Sequence, residues 1–343
     1  MKKLLPLAEP ISFHSPSITY LLSIIELNEN FRNWLVDNLL NIYVPKDYTL
    51  RLDGFFRTNE FYNCPFLTCS ALSYGILDNM NLKFSKIIEF LIQNNCYIYG
   101  LINREPIRLF NRSKTAHNML IYGYNSFKKR ISFCDFVPLQ GGENGEYKKL
   151  QCSFREMNKA IKNFNGDNYV REEDVLYLLH MKQNVRYKYN ISDLKRSIKY
   201  FLNSTNLIEC NIGSIYLQYY SVFSNEKEDY CFGAACYDLL ADQIQKKDFL
   251  MVRPLVLIKD YAVLWQRRLN ILKEENIIRG NSELLDELIN EVIDLSKRVI
   301  IFFLKMGYVH SSQIKNRKIM KADILKLKKK QVDFLKNVLK LID

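Results

Sequence analysis

Three residue types that cooperate in acyl chemistry follow one another in the first half of the chain. They are Cys64 in FYNCPFLTCSAL, His117 in TAHNMLIYGYN and Asp135 in ISFCDFV. A thiolate attacks a carbonyl carbon, an imidazole takes up and returns its proton, and a carboxylate holds the imidazole in one tautomer. Pro65 suits a first helical turn, so the spacing predicts a helix over 65–79 with Cys64 at its N-terminus. Unpaired backbone N–H groups there favour a thiolate and would also stabilise an oxyanion. Of the four histidines, His14, His117, His180 and His310, only His117 lies in the strand-like region directly after that helix. The segments HNMLIYGYN and ISFCDF flank the polar NSFKKR and predict a hairpin. A turn centred on Ser126 sets Asp135 directly opposite His117 on one face. A slip of one residue would send the aspartate to the other face.

Each residue also has an ordinary explanation. A lone cysteine at a helix start is more often a small buried side chain, and an aspartate at a strand end is more often a turn residue. A lone strand histidine is more often simply hydrogen-bonded. The order Cys, His, Asp in these settings favours the catalytic reading. Cys69 is the rival nucleophile, expected inside the helix and buried. Cys134 adjoins Asp135 but faces the other side of its strand. Cys231 and Cys236 have no His or Cys partners at zinc-ligand spacing, so no metal is expected.

These residues need elements to hold them. Ser15 is a candidate N-cap with Pro16 after it, opening two helices within 15–44. SKIIEFLIQNN (85–95) reads as a helix. From Cys96 the texture changes to strands and hairpins through CYIYGLI, IRLFNR, TAHNMLIYGYN and ISFCDFV. The glycine-rich PLQGGENGEY (138–147) marks a boundary between domains at 1–145 and 146–343. Beyond it, Ser153 and Glu156 form a capping box for SFREMNKAIKNF. VLYLLHMK reads as a strand and SDLKRSIKYFLN as a helix, while GSIYLQYYSV fits either state. The chain is helical from Phe232 onward, over 251–275, 282–306 and 317–342. The class is α+β.

The chain has 343 residues, 48% of them hydrophobic, enough for a large core and too many for a disulfide-stapled miniature. Eight cysteines show no regular framework, and no secretory signal or membrane-spanning run is visible, so a reduced, cytoplasmic protein is expected. The net charge of +12 is spread along the chain apart from KADILKLKKKQ (321–331). No helix-turn-helix, zinc-finger or RNP signature accompanies it. A solvated helix face is expected there rather than a nucleic-acid groove, and an acidic protein partner is the third reading.

NCPFLTC, HNMLIYGYN and ISFCD resemble the papain-like cysteine-protease superfamily, and within it the butirosin-biosynthesis H-type acyltransferases of antibiotic pathways. The likeness covers roughly residues 55–140. It implies a papain-like fold in which the nucleophile helix packs on an antiparallel sheet, followed by a helical C-terminal region. It also implies transfer of an acyl or aminoacyl group, of which β-alanyl is one candidate, to an amine. The group would leave the phosphopantetheine thioester of an acyl or peptidyl carrier protein and pass through a Cys64 thioester. His117 would be the base and Asp135 its orienting carboxylate, with no cofactor of the enzyme's own. The glutamine that often precedes the papain cysteine is missing from RTNEFYNC, which leaves the oxyanion donor to Asn59, Asn63 or the backbone N–H of Cys64. A peptidase on the same triad and a non-catalytic binding protein on the same fold are the rival readings. Neither the acyl group, the amine nor the oligomeric state follows from the sequence.

Overall fold

The computed structural model describes residues 1–13, 15–45, 60–80, 82–110, 115–138, 145–162, 175–206, 230–246, 252–280, 282–306 and 313–342. Asn59, His14, His310, Cys210 and the segment GSIYLQYYSV lie outside them. The chain is α+β and divides into two compact units. One comprises Met1–Pro10, Pro16–Asn28 and Cys64–Val185, and the other Ile11–Ser15, Glu29–Asn63 and Arg186–Asp343. These units interleave along the chain and do not follow a single cut near residue 145.

The first unit is built on β1 (Lys2–Leu4), β3 (Leu67–Ser73), β4 (Cys96–Asn103), β5 (Ala116–Asn125), β6 (Arg130–Pro138), β7 (Gly145–Ser153) and β8 (Val175–Met181), with β2 (Tyr43–Pro45) belonging to the other unit. The seven strands form one antiparallel sheet in the order β3-β8-β4-β5-β6-β7, and β1 adds to β5. The central strands are runs of Ile, Leu, Tyr and Phe buried on both faces, which is why they occupy the middle. Ile98, Ile102, Met119, Ile121 and Phe133 are fully buried; each contributes on the order of 1.5–3 kcal/mol by leaving water.

Helix α1 (Pro16–Ile25) packs on β5 and starts at the proline that the sequence marked. It is followed in chain order by α2 (Phe31–Asp37), α3 (Glu60–Asn63), α4 (Tyr74–Asn79), α5 (Phe84–Gln93) and α6 (Phe154–Lys162). Helix α5 lies on β4 and β5 through Ile88 and Ile92. The capping box of α6 forms as read: Ser153 N–H and Oγ–H donate to Glu156, and Glu156 N–H donates to Ser153 Oγ. At Gly123 the backbone of β1 comes so close that an added Cβ would meet Lys3 O at 2.9 Å, so that position takes no side chain without moving β1.

Two expectations are corrected. Residues 65–79 are not one helix: 67–73 form β3, paired along its whole length with β8, and only Tyr74–Asn79 are helical. The strand-like reading of IRLFNR fails too, because Arg108–Phe110 make a single 3-10 turn.

The second unit contains β9 (Tyr230–Phe232), paired with β2, and the helices α7 (Ile191–Asn203), α8 (Ala235–Lys246), α9 (Arg253–Glu274), α10 (Ser282–Met306) and α11 (Gln313–Leu341). Helix α10 packs on both α9 and α11, and Trp265 meets Phe334 and Tyr261 edge-on. Arg268 is fully buried and caps the end of α2, its Nε donating to Leu35 O at 2.9 Å and its Nη2 to Asn38 O at 2.7 Å. Burial pulls its pKa down to about 10. Among the described residues no helix is long and apolar enough to cross a membrane.

Candidate active site

Asp135 stands on β6 and is completely buried. Its Oδ1 accepts from His117 Nδ1 at 2.6 Å, from Arg104 Nη2 at 2.6 Å and from Phe136 N–H at 2.7 Å, while Oδ2 accepts from Arg104 Nε at 2.9 Å. A guanidinium and a backbone amide can only donate, so the carboxyl is an ionised acceptor and His117 meets it with Nδ1–H. In the neutral ring that tautomer carries its lone pair on Nε2. The His117 side chain is 25% exposed, and Nε2 has no hydrogen bond to the described residues. Phe136 meets its ring edge-on at 6.4 Å.

The register that brings the pair together is not the one expected. Leu120 faces Cys134 and Ile121 faces Phe133, which carries Asp135 opposite Met119 and sets His117 two residues along. A shift of two preserves the face, so the side chains still meet on the diagonal, within reach of an imidazole. The bulge between Ile121 and Gly123 changes the register toward the turn.

Tyr20 of α1 ties the backbone beside both residues. Its hydroxyl donates to Asn118 O at 3.0 Å and to Cys134 O at 3.3 Å. Burial and then the charge of Asp135 hold that hydroxyl well above its ordinary pKa, so it stays a donor. Ser17, half-buried, lies one helical turn earlier on the same side of α1.

Cys64 is not brought to this pair. It follows α3 instead of opening a helix, and the turn after it leads into β3. Leu67 pairs with Met181, Cys96 with His180 and Ile102 with His117. Across those pairings, the rows through Leu67 and His117 are seven residues apart, about 23 Å along the strands, and β3 stands three strands from β5, about 14 Å more. The thiol is 3% exposed. Burial pushes its pKa up to about 12, and the N–H groups of Phe66 and Leu67 and the charge of Lys182 offset only part of this. A protonated, enclosed thiol at the far end of the sheet has neither the base nor the access that a nucleophile needs.

Cys69 is on β3, not in a helix, and half-buried. Cys134 is buried, receives Tyr147 O–H at 3.2 Å, and burial pushes it up to about 12. No group of His, Cys, Asp or Glu suited to a metal occurs among the described residues. The side chains of Asn59 and Asn63 lie outside those described. Arg104 was missed by the sequence reading. Its signal was a charged residue just past the apolar CYIYGLIN, two positions beyond Ile102 and so on the face that carries His117.

No family model matches the chain, and no curated protein matches it.

Proposed function

We propose that the first unit carries out acyl transfer with His117 as general base and Asp135 as the carboxylate that orients it. The observation supporting this is the 2.6 Å contact between Nδ1 and a fully buried carboxylate, on an imidazole side chain that is itself 25% exposed. An imidazole so held presents one lone pair in one direction, the requirement for taking a proton from an attacking group. The acyl donor and acceptor are those implied by the resemblance of NCPFLTC, HNMLIYGYN and ISFCD, a carrier-protein thioester and an amine, and the cysteine usage suits a reducing cytoplasm. With Cys64 remote from His117, the amine attacks the thioester carbonyl directly. His117 Nε2 takes the amine's proton, the C–S bond breaks, and the proton passes to the departing thiol. Such a site needs no covalent enzyme intermediate.

A second reading has an observation of its own. Arg104, Asp135 and His117 join β4, β5 and β6 in one buried ionic cluster, which would serve a non-catalytic binding protein equally well as a fastener. Acyl-loaded carrier protein supplied with and without an amine separates these readings. Amide formed only with the amine, and reduced about 10²–10⁴-fold in His117→Ala, supports the transferase. Free acid formed equally fast in both mixtures makes the protein a hydrolase. Turnover unchanged in His117→Ala reduces the cluster to a fastener.

A further inference from the structure

We propose that Arg104 is a positioning residue that keeps His117 in its neutral, Nδ1-protonated form by cancelling the charge of the carboxylate that orients it. This deepens the general-base reading of His117 and rests on it. A carboxylate facing an imidazole alone stabilises the imidazolium, and an imidazolium is no base. Here the same oxygen that receives His117 Nδ1 also receives Arg104 Nη2, so a permanent positive charge stands as near to the carboxylate as the ring does. The fork is bidentate, with Nε on the other oxygen at 2.9 Å. Arg104 is itself immobilised. It is 4% exposed, its Nη2 also donates to Phe136 O at 2.6 Å, its guanidinium lies 4.8 Å from the centre of the Phe110 ring, and its N–H donates to Thr115 O at 3.0 Å. The side chain of Arg104 thus holds β6 at Asp135 and Phe136, while its backbone N–H ties the exit of β4 to the entry of β5, where His117 sits.

The other charges around the pair are engaged elsewhere. Lys148, across from Asp135 on β7, pairs with Glu146 in the solvent. Glu156 of α6 accepts from Ser153 and from Arg108 N–H. Tyr20 of α1 is neutral and donates to carbonyls. Arg104 is therefore the charge that balances Asp135 among the described residues.

The test follows the imidazole Cε1–H resonance of His117 by NMR as pH is varied on the full chain, with the resonance assigned by its loss in His117→Gln. Arg104→Met should raise the midpoint by about one pH unit or more, because the carboxylate then acts on the ring unopposed. Arg104→Lys should titrate near wild type but transfer acyl groups more slowly, since an ammonium keeps the charge without the planar fork. The double variant Arg104→Met with Asp135→Asn removes both charges and leaves neither buried alone. It should titrate near wild type, and it carries the test if Arg104→Met does not fold. An unshifted midpoint in folded Arg104→Met overturns the proposal, as does a double variant displaced by more than about one unit. A shifted midpoint with no amide formed by any variant sinks the catalytic reading and leaves the charge balance standing. An active wild type with an unshifted midpoint does the reverse.

Discussion

Replacing Asp135 by asparagine keeps the shape of the side chain and removes the charge, leaving Arg104 buried with nothing to balance it. Breaking one half of a buried ion pair costs about 3–5 kcal/mol, so Asp135→Asn should lower the urea midpoint steeply while Lys148→Gln on the exposed side of β7 should hardly move it. The cysteines give a pH-dependent prediction. Burial pushes Cys64 and Cys134 up to about 12 and Cys96 up to about 11. The folded chain therefore holds these protons more tightly than the unfolded chain, whose thiols ionise near 8.5. Their contribution is intact below that pH and is lost as pH rises toward 12. Urea midpoints should fall between pH 8 and pH 10.5, and serine at Cys64 and Cys134 should flatten the fall. At neutral pH Cys64 should alkylate more slowly than half-buried Cys69, read by peptide mapping after limiting iodoacetamide.

At the scale of elements, the hairpin, the capping box of α6 and the terminal helices were legible because their causes are local. Alternation wrote β5 and β6, and Ser153 with Glu156 marked a helix start. Residues 65–79 were not legible for the opposite reason. LTCSALS has a leucine and an alanine at helical spacing, and Pro65 suits a helix start, yet the segment forms an edge strand because Val175–Met181 pairs with all of it. That partner is a hundred residues away, and strand preference is largely decided by such neighbours. The opposition of His117 and Asp135 was not legible, because the turn closes between paired Asn125 and Arg130 instead of around Ser126, and the bulge between Ile121 and Gly123 is what returns the two side chains to one face. Two element-scale outcomes follow. Ser153→Ala should cost about 0.5–2 kcal/mol by removing the hydroxyl that caps the N-terminus of α6 at Glu156 N–H. Gly123→Val should displace β1 from β5, seen as loss of hydrogen-exchange protection over Lys2–Leu4, because its side chain would enter the space of Leu4.

The whole molecule joins a sheet unit that holds the His117–Asp135–Arg104 cluster to a helical unit with a core around Trp265 and the buried Arg268. The nucleophile-bearing helix anticipated at Cys64 is replaced by an edge strand, and the proposed chemistry falls to the imidazole instead of the thiol. Cys64 and His117, neighbours in the sequence reading, stand at opposite ends of the sheet. The direct measurement is the rate of amide formation from an acyl-loaded carrier and an amine in two variants side by side. Cys64→Ala should run within about twofold of wild type, since a buried thiol at the far end of the sheet takes no part, and His117→Ala should lose about 10²-fold or more. A dead Cys64→Ala, or a His117→Ala that keeps the wild-type rate, contradicts the account.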